Sequence, residues 1–113
     1  MITDKGLLGG STPLLLLKLL SEQDRYGYEI IKELRERSEN VFQFKEGTLY
    51  PILHKLEADG YVSSYRRDAE TGKTRTYYKI TDKGQKQLTA ETEKWAEFTL
   101  GVNKVLNGTA LAY

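Results

Sequence analysis

Residues 46–80 read EGTLYPILHKLEADGYVSSYRRDAETGKTRTYYKI, and two periodicities meet in this stretch. Leu49, Ile52, Leu53 and Leu56 recur at i, i+3, i+4 and i+7, one stripe of a helix that opens around Glu46 to Thr48. Gly60, following Ala58-Asp59, is a helix stop. Tyr61–Arg67 and Thr74–Ile80 then take on strand composition, rich in tyrosine, valine, serine, threonine and isoleucine. A six-residue connection containing Gly72 joins them, which predicts a β-hairpin. Pro51 falls in the first turns of the helix, where it removes a backbone hydrogen bond and distorts the start.

Upstream of this stretch two further helices are expected. The first begins near Ser11-Thr12-Pro13, with Thr12 accepting an orphan N–H and Pro13 tolerated in the first turn. Leu14 to Leu17, Leu19 and Leu20 cover more than one face of it, which makes it the central helix of the core. Ser21-Glu22-Gln23-Asp24-Arg25 punctuates the chain before a second helix from about Tyr26 to Arg37. Ile30, Ile31 and Leu34 line one face of that helix, and its charges read as a solvated face with Glu29–Lys32 and Glu33–Arg37 as favourable neighbours.

Downstream, residues 81–107 read as one long helix, with Asp82 as cap and Gln85 three residues on. Leu88, Trp95 and Val102 share one position of a seven-residue repeat, and Phe98 and Val105 share another, with Glu91 interrupting early. A second copy of the chain is the natural partner for this seam, making it a dimerisation helix. The competing arrangement folds the helix back on Leu14–Leu20.

Composition narrows the function classes. With 113 residues the chain fits one modest core, and its formal charge of +1 argues against a polybasic or acidic tail. Cysteine is absent, which removes disulfides, thiolate metal sites and redox thiols and suits a reducing cytoplasm. The longest apolar run is interrupted by Lys18, well short of a membrane span, and no secretory signal pattern is visible. His54 is the single histidine, with no spaced metal partner, no Walker-type loop and no nucleophile turn. An enzyme, a metal and a cofactor are therefore not expected.

What remains is a binding surface. Opposite Leu49 on the third helix lie Gly47, Pro51, His54 and Ala58, flanked by Thr48, Tyr50 and Lys55. Small residues and a few donors are what a helix needs to enter a major groove of double-stranded DNA. Residues 61–80 carry five Lys/Arg against two Asp/Glu, whereas the rest of the chain has twelve against fourteen. Such a hairpin, interleaved with Tyr61, Tyr65, Tyr77 and Tyr78, suits a phosphate backbone or minor groove. It equally suits a solubilised edge hairpin whose cations deter strand addition.

Several strings in order resemble the PadR family of transcriptional regulators: Tyr26-Gly27-Tyr28-Glu29-Ile30, Glu46-Gly47-Thr48-Leu49-Tyr50-Pro51, Asp59-Gly60, Tyr77-Tyr78, Thr81-Asp82-Lys83-Gly84, and Trp95 through Leu106. The likeness covers about Leu8 to Leu106 and is nearest the compact branch with a single C-terminal helix. It implies a mainly α fold with a small β-hairpin: a winged helix-turn-helix DNA-binding domain over 1–80 and a dimerisation helix and tail over 81–113. It also implies a cytoplasmic homodimer on a palindromic operator, usually repressing a transporter or detoxification gene. The recognition helix would be the one carrying Thr48, Tyr50, Pro51, His54 and Lys55, and the wing the hairpin carrying Lys73 and Arg75. Lys45 stands where many members have a cap-forming residue, and is expected to add a phosphate contact. In the multidrug-sensing branch a tryptophan of the last helix flanks an aromatic ligand pocket, which implies a hydrophobic effector site at Trp95 and Phe98. The rival to DNA binding is a winged-helix adaptor that binds another protein.

Overall fold

Three leucine-rich faces converge before any sheet is needed. The computed structural model describes residues 10–68 and 70–108. Residues 1–9, Ala69 of the hairpin connection and the tail past 108, all within the expected domain bounds, lie outside the described residues. Helix α1 spans Thr12–Glu22, α2 spans Gly27–Arg37 and α3 spans Glu46–Ala58. Leu16, Leu17, Leu19 and Leu20 of α1 meet Ile30 and Leu34 of α2 and Leu49, Leu53 and Leu56 of α3, all buried. Each such leucine contributes about 1.5–3 kcal/mol by leaving water.

Strands β2 (Val62–Asp68) and β3 (Thr74–Ile80) form the expected hairpin, in register from Val62 opposite Ile80 to Asp68 opposite Thr74. A two-residue strand, β1 (Arg25–Tyr26), adds to the free edge of β3, giving the order β1-β3-β2. The sequence reading did not foresee it, because two residues are too few for period-two alternation to show. One face of the sheet sends Val62 and Tyr78 into the leucine core.

The last helix, α4, spans Asp82–Asn107. Two caps differ from expectation. Thr81, not Asp82, is the cap of α4: its hydroxyl accepts the Gly84 N–H at 3.0 Å, and Asp82 sits in the first turn, where its charge favours the helix dipole. At α1 the cap position is Ser11, whose side chain makes no capping bond, and Thr12 is the first helical residue and fully buried. On α2, Glu29 turns back to accept the Tyr26 backbone N–H at 3.2 Å instead of pairing with Lys32. Gly60 ends α3 with φ +81°, a conformation that side chains with a Cβ rarely adopt.

Arg25, read as part of a polar punctuation, is buried. It donates to the Leu19 carbonyl at 3.1 Å and to Glu22 and Glu33 at 3.1 and 3.4 Å, while Arg37 binds Glu22 from outside. The Arg37 guanidinium hydrogen-bonded to Glu22 is the main cause that holds its carboxyl at about 2. This network ties the end of α1 to the flank of α2.

The chain extends over 58 × 30 × 21 Å with a Cα radius of gyration of 16.1 Å. A compact domain of this length would have about 13 Å. The excess is α4, whose first turns pack beside α1 and β3 and whose remainder runs past them.

Candidate nucleic-acid interface

On α3 the projection from the sequence holds. Gly47, Pro51, His54, Lys55 and Ala58 are exposed, while Leu49, Leu53 and Leu56 are buried behind them. Thr48 is half-buried at the margin. Lys45 occupies the cap position with its side chain exposed and making no capping bond; its carbonyl accepts the Thr48 and Leu49 N–H groups at 3.0 Å each. Despite Pro51 the helix runs unbroken to Ala58. Lys55 pairs with Asp59 at 3.0 Å on the surface, a contact worth about 0.3–0.5 kcal/mol and readily exchanged for another anion.

Tyr50 is turned inward. A Cβ added at Gly27 would overlap its hydroxyl, so the glycine at the start of α2 is what lets this phenol lie there. Its ring is tilted on His54, with centroids 6.2 Å apart. Burial, then the Glu46 carboxylate, push the phenol pKa up, with Arg75 opposing. Tyr50 therefore braces α3 against α2, while the exposed face is left to the smaller side chains around it.

Lys73 is exposed in the turn of the hairpin. Thr74 Oγ1 donates to Asp68 Oδ1 at 2.7 Å and closes the base of that turn. The outer face of the sheet carries a layer that the sequence reading did not assemble. Tyr77 lies between Tyr26, edge-on at 5.4 Å, and Tyr65, stacked at 5.8 Å. The Arg67 guanidinium lies 4.9 Å from the Tyr77 centroid, and that of Arg75 lies 4.5 Å from the Tyr26 centroid. The Tyr65 hydroxyl donates to Asp24 at 2.6 Å, pinning the hairpin to the turn after α1, and that carboxylate is the main cause raising the phenol pKa. Arg67 was not among the expected contacts, though alternation along both strands puts it on the face of Arg75.

The seam residues of α4 divide. Leu88 packs against the chain's own core. Trp95, Phe98, Val102 and Val105 are exposed, and Leu106, skipped by the seven-residue spacing, joins them at 75% exposure. At about 100° per residue these five fall on one side of the helix, whereas Leu100 stands opposite. Trp95 and Phe98 stack with centroids 5.8 Å apart and, with Leu14 of α1 and Glu91 and Lys94, line an open groove of about 440 Å³. Among the described residues no group of three or more His, Asp or Glu side chains could hold a metal ion. No helix there is long and apolar enough to cross a membrane.

Three comparisons agree with this architecture. The model of the transcriptional regulator PadR-like family matches residues 16–90. Uncharacterized protein X of Lysinibacillus sphaericus is 40% identical over 91 residues, which cover 80% of this chain and 84% of that protein. Among solved structures, a transcriptional regulator from Clostridium thermocellum superposes with a TM-score of 0.80 at 39% identity, covering 88% of this chain and 96% of that one. A PadR-like transcriptional regulator from Bacillus cereus gives a TM-score of 0.80 at 29% identity, covering 91% and 98%.

Proposed function

The chain belongs to the transcriptional regulator PadR-like family, and we propose that it is a homodimeric repressor that reads a palindromic operator in the cytoplasm. Transcription regulation through DNA is the work of this family, whose members are not in general enzymes. The repressor reading goes further, and one observation carries it. The exposed residues Gly47, Pro51, His54 and Ala58 of α3 carry no carboxylate, ammonium or guanidinium, and the helix packs against strand β2 of a cationic hairpin. Short side chains admit the helix to the major groove, and the hairpin meets the backbone.

In this reading residues 1–80 form the DNA-binding unit and 81–113 the dimerisation helix and tail. Thr48, Pro51, His54 and Lys55 face base edges and nearby phosphates, Tyr50 holds the helix in place at the groove, and Lys45, Lys73 and Arg75 meet the backbone. Two copies join through Trp95, Phe98, Val102 and Val105, with Leu88 at the inner end, and set the two recognition helices about 34–36 Å apart. Where the two Trp95 rings approach across the two-fold, a flat hydrophobic effector fits between them and releases the DNA. The controlled gene encodes a transporter or detoxification protein.

The test is a mobility shift on DNA from the chain's own promoter at two salt concentrations, against a scrambled competitor. Specific binding that saturates at one dimer per palindrome and weakens steeply with salt is the expected result. Equal binding to scrambled DNA by a folded dimer would put a protein-binding adaptor in its place.

A further inference from the structure

Arg67 and Arg75 are cross-strand partners in the β2–β3 register, so two positive charges stand directly opposite on one face of the hairpin. Like charges in that position destabilise a sheet. Neither is neutralised: among the described residues the ion pairs involve Lys18, Arg25, Arg37, Lys55 and Lys94, and no carboxylate pairs with Arg67 or Arg75. Each guanidinium is laid on a tyrosine ring, Arg67 on Tyr77 and Arg75 on Tyr26, which orients both forks on the same face. The Arg75 Nε is buried, so its guanidinium presents only its outer N–H groups to solvent.

We propose that Arg67 and Arg75 form a clamp for a single phosphate group, one that bridges the two guanidinium planes. An oxyanion of this geometry answers both observations together. It cancels the cross-strand repulsion and accepts from the outer N–H groups of two forks already oriented by stacking. Its place in the molecule says which phosphate. Arg75 lies on the Tyr26 ring, and the next residue, Gly27, abuts Tyr50 of α3, so the clamp sits where the hairpin adjoins the recognition helix. A phosphodiester held there fixes the register of α3 on the duplex, which is a positioning contact with no sequence content of its own. This assignment rests on the DNA-binding reading and adds Arg67 to it. The Asp24–Tyr65 hydrogen bond holds the aromatic layer beneath the clamp.

Two experiments separate the clamp from the DNA-binding reading. The first uses no DNA: thermal unfolding of the whole chain in sodium phosphate and in sodium chloride at equal ionic strength and pH. Phosphate stabilises any fold somewhat relative to chloride, so the clamp is read as a rise in the parent's midpoint larger than that of Arg67→Gln, Arg75→Gln or Arg75→Lys. The lysine variant keeps the charge and the fold but loses the planar fork. The second is duplex binding across a salt series. Each single neutralisation should weaken binding about tenfold and lower the salt slope by about 0.9. Because one phosphate is shared, the double variant should lose little more than either single. Additive losses would overturn the shared phosphate, and so would a parent that phosphate protects no more than the variants. Phosphate protection beyond that of the variants, in a parent that binds no duplex, would keep the clamp as a site for free phosphate and remove the operator reading instead.

Discussion

Leu16 and Leu106 are the same residue type on helices of one chain, yet Leu16 is fully buried and Leu106 is 75% exposed. The contrast extends to their surroundings. Around Leu16, three helices and a sheet close into one buried cluster. Around Leu106 a single helix leaves Val105 82% exposed and Trp95, Phe98 and Val102 only partly covered. The first region obtains its hydrophobic stabilisation within the chain. The second leaves its apolar stripe for a contact outside the described core, which in the proposed reading is a second copy.

The sharpest way to break the comparison is to damage each region and ask what fails. Leu53→Ala, in the fully buried stripe of α3, should lower unfolding free energy by about 2–5 kcal/mol, read as a lower urea midpoint. Phe98→Glu should leave the fold intact by circular dichroism while raising the dimer dissociation constant more than about tenfold, read as mass by light scattering. Leu100→Glu, on the opposite side of α4, should change neither. If Phe98→Glu unfolds the chain or stays dimeric, the division between the two regions is wrong.

Between these extremes lie contacts that join elements without filling the core. Gly27→Ala forces Tyr50 off α2 and should destabilise by about 1–3 kcal/mol; because the brace belongs to α3, DNA affinity should fall as well. Tyr50→Phe keeps the ring and should be milder in both measurements. The smallest effect is electrostatic. Glu22 has a folded pKa of about 2 against an ordinary 4.5, so its network contributes stability that is present above pH 4.5 and fades as pH falls toward 2. Melting temperature should therefore decline over that window in the parent, and Glu22→Gln should flatten the decline without altering the dimer.

Much of this was legible in residue order. The stripe Leu49–Leu56, the stop at Gly60 and the cationic hairpin are local patterns, and the structure keeps them. The outward set Gly47, Pro51, His54 and Ala58 followed from helical projection alone. What escaped the reading was non-local. Strand β1 exists because β3 offers it a free edge, and Arg25 is buried because Glu22, Glu33 and the Leu19 carbonyl close around it. Tyr50 counted as an exposed flank by angle, but its direction is decided by the absence of a side chain at Gly27 on another helix. Thr81 displaced Asp82 as cap because it is one residue before the helix, where its hydroxyl can reach the Gly84 N–H.

Periodicity, then, determined by itself the three helices, the hairpin, the long last helix and the buried stripe of α3, because those depend on neighbours within about two turns or one strand. Only the tertiary structure decided which side chains meet across elements: the arginines facing each other on Tyr26 and Tyr77, the phenol lodged on Gly27, and the division of α4 into a packed beginning and an uncovered end. Those contacts join residues far apart in sequence, and their energies depend on distances that no local pattern encodes.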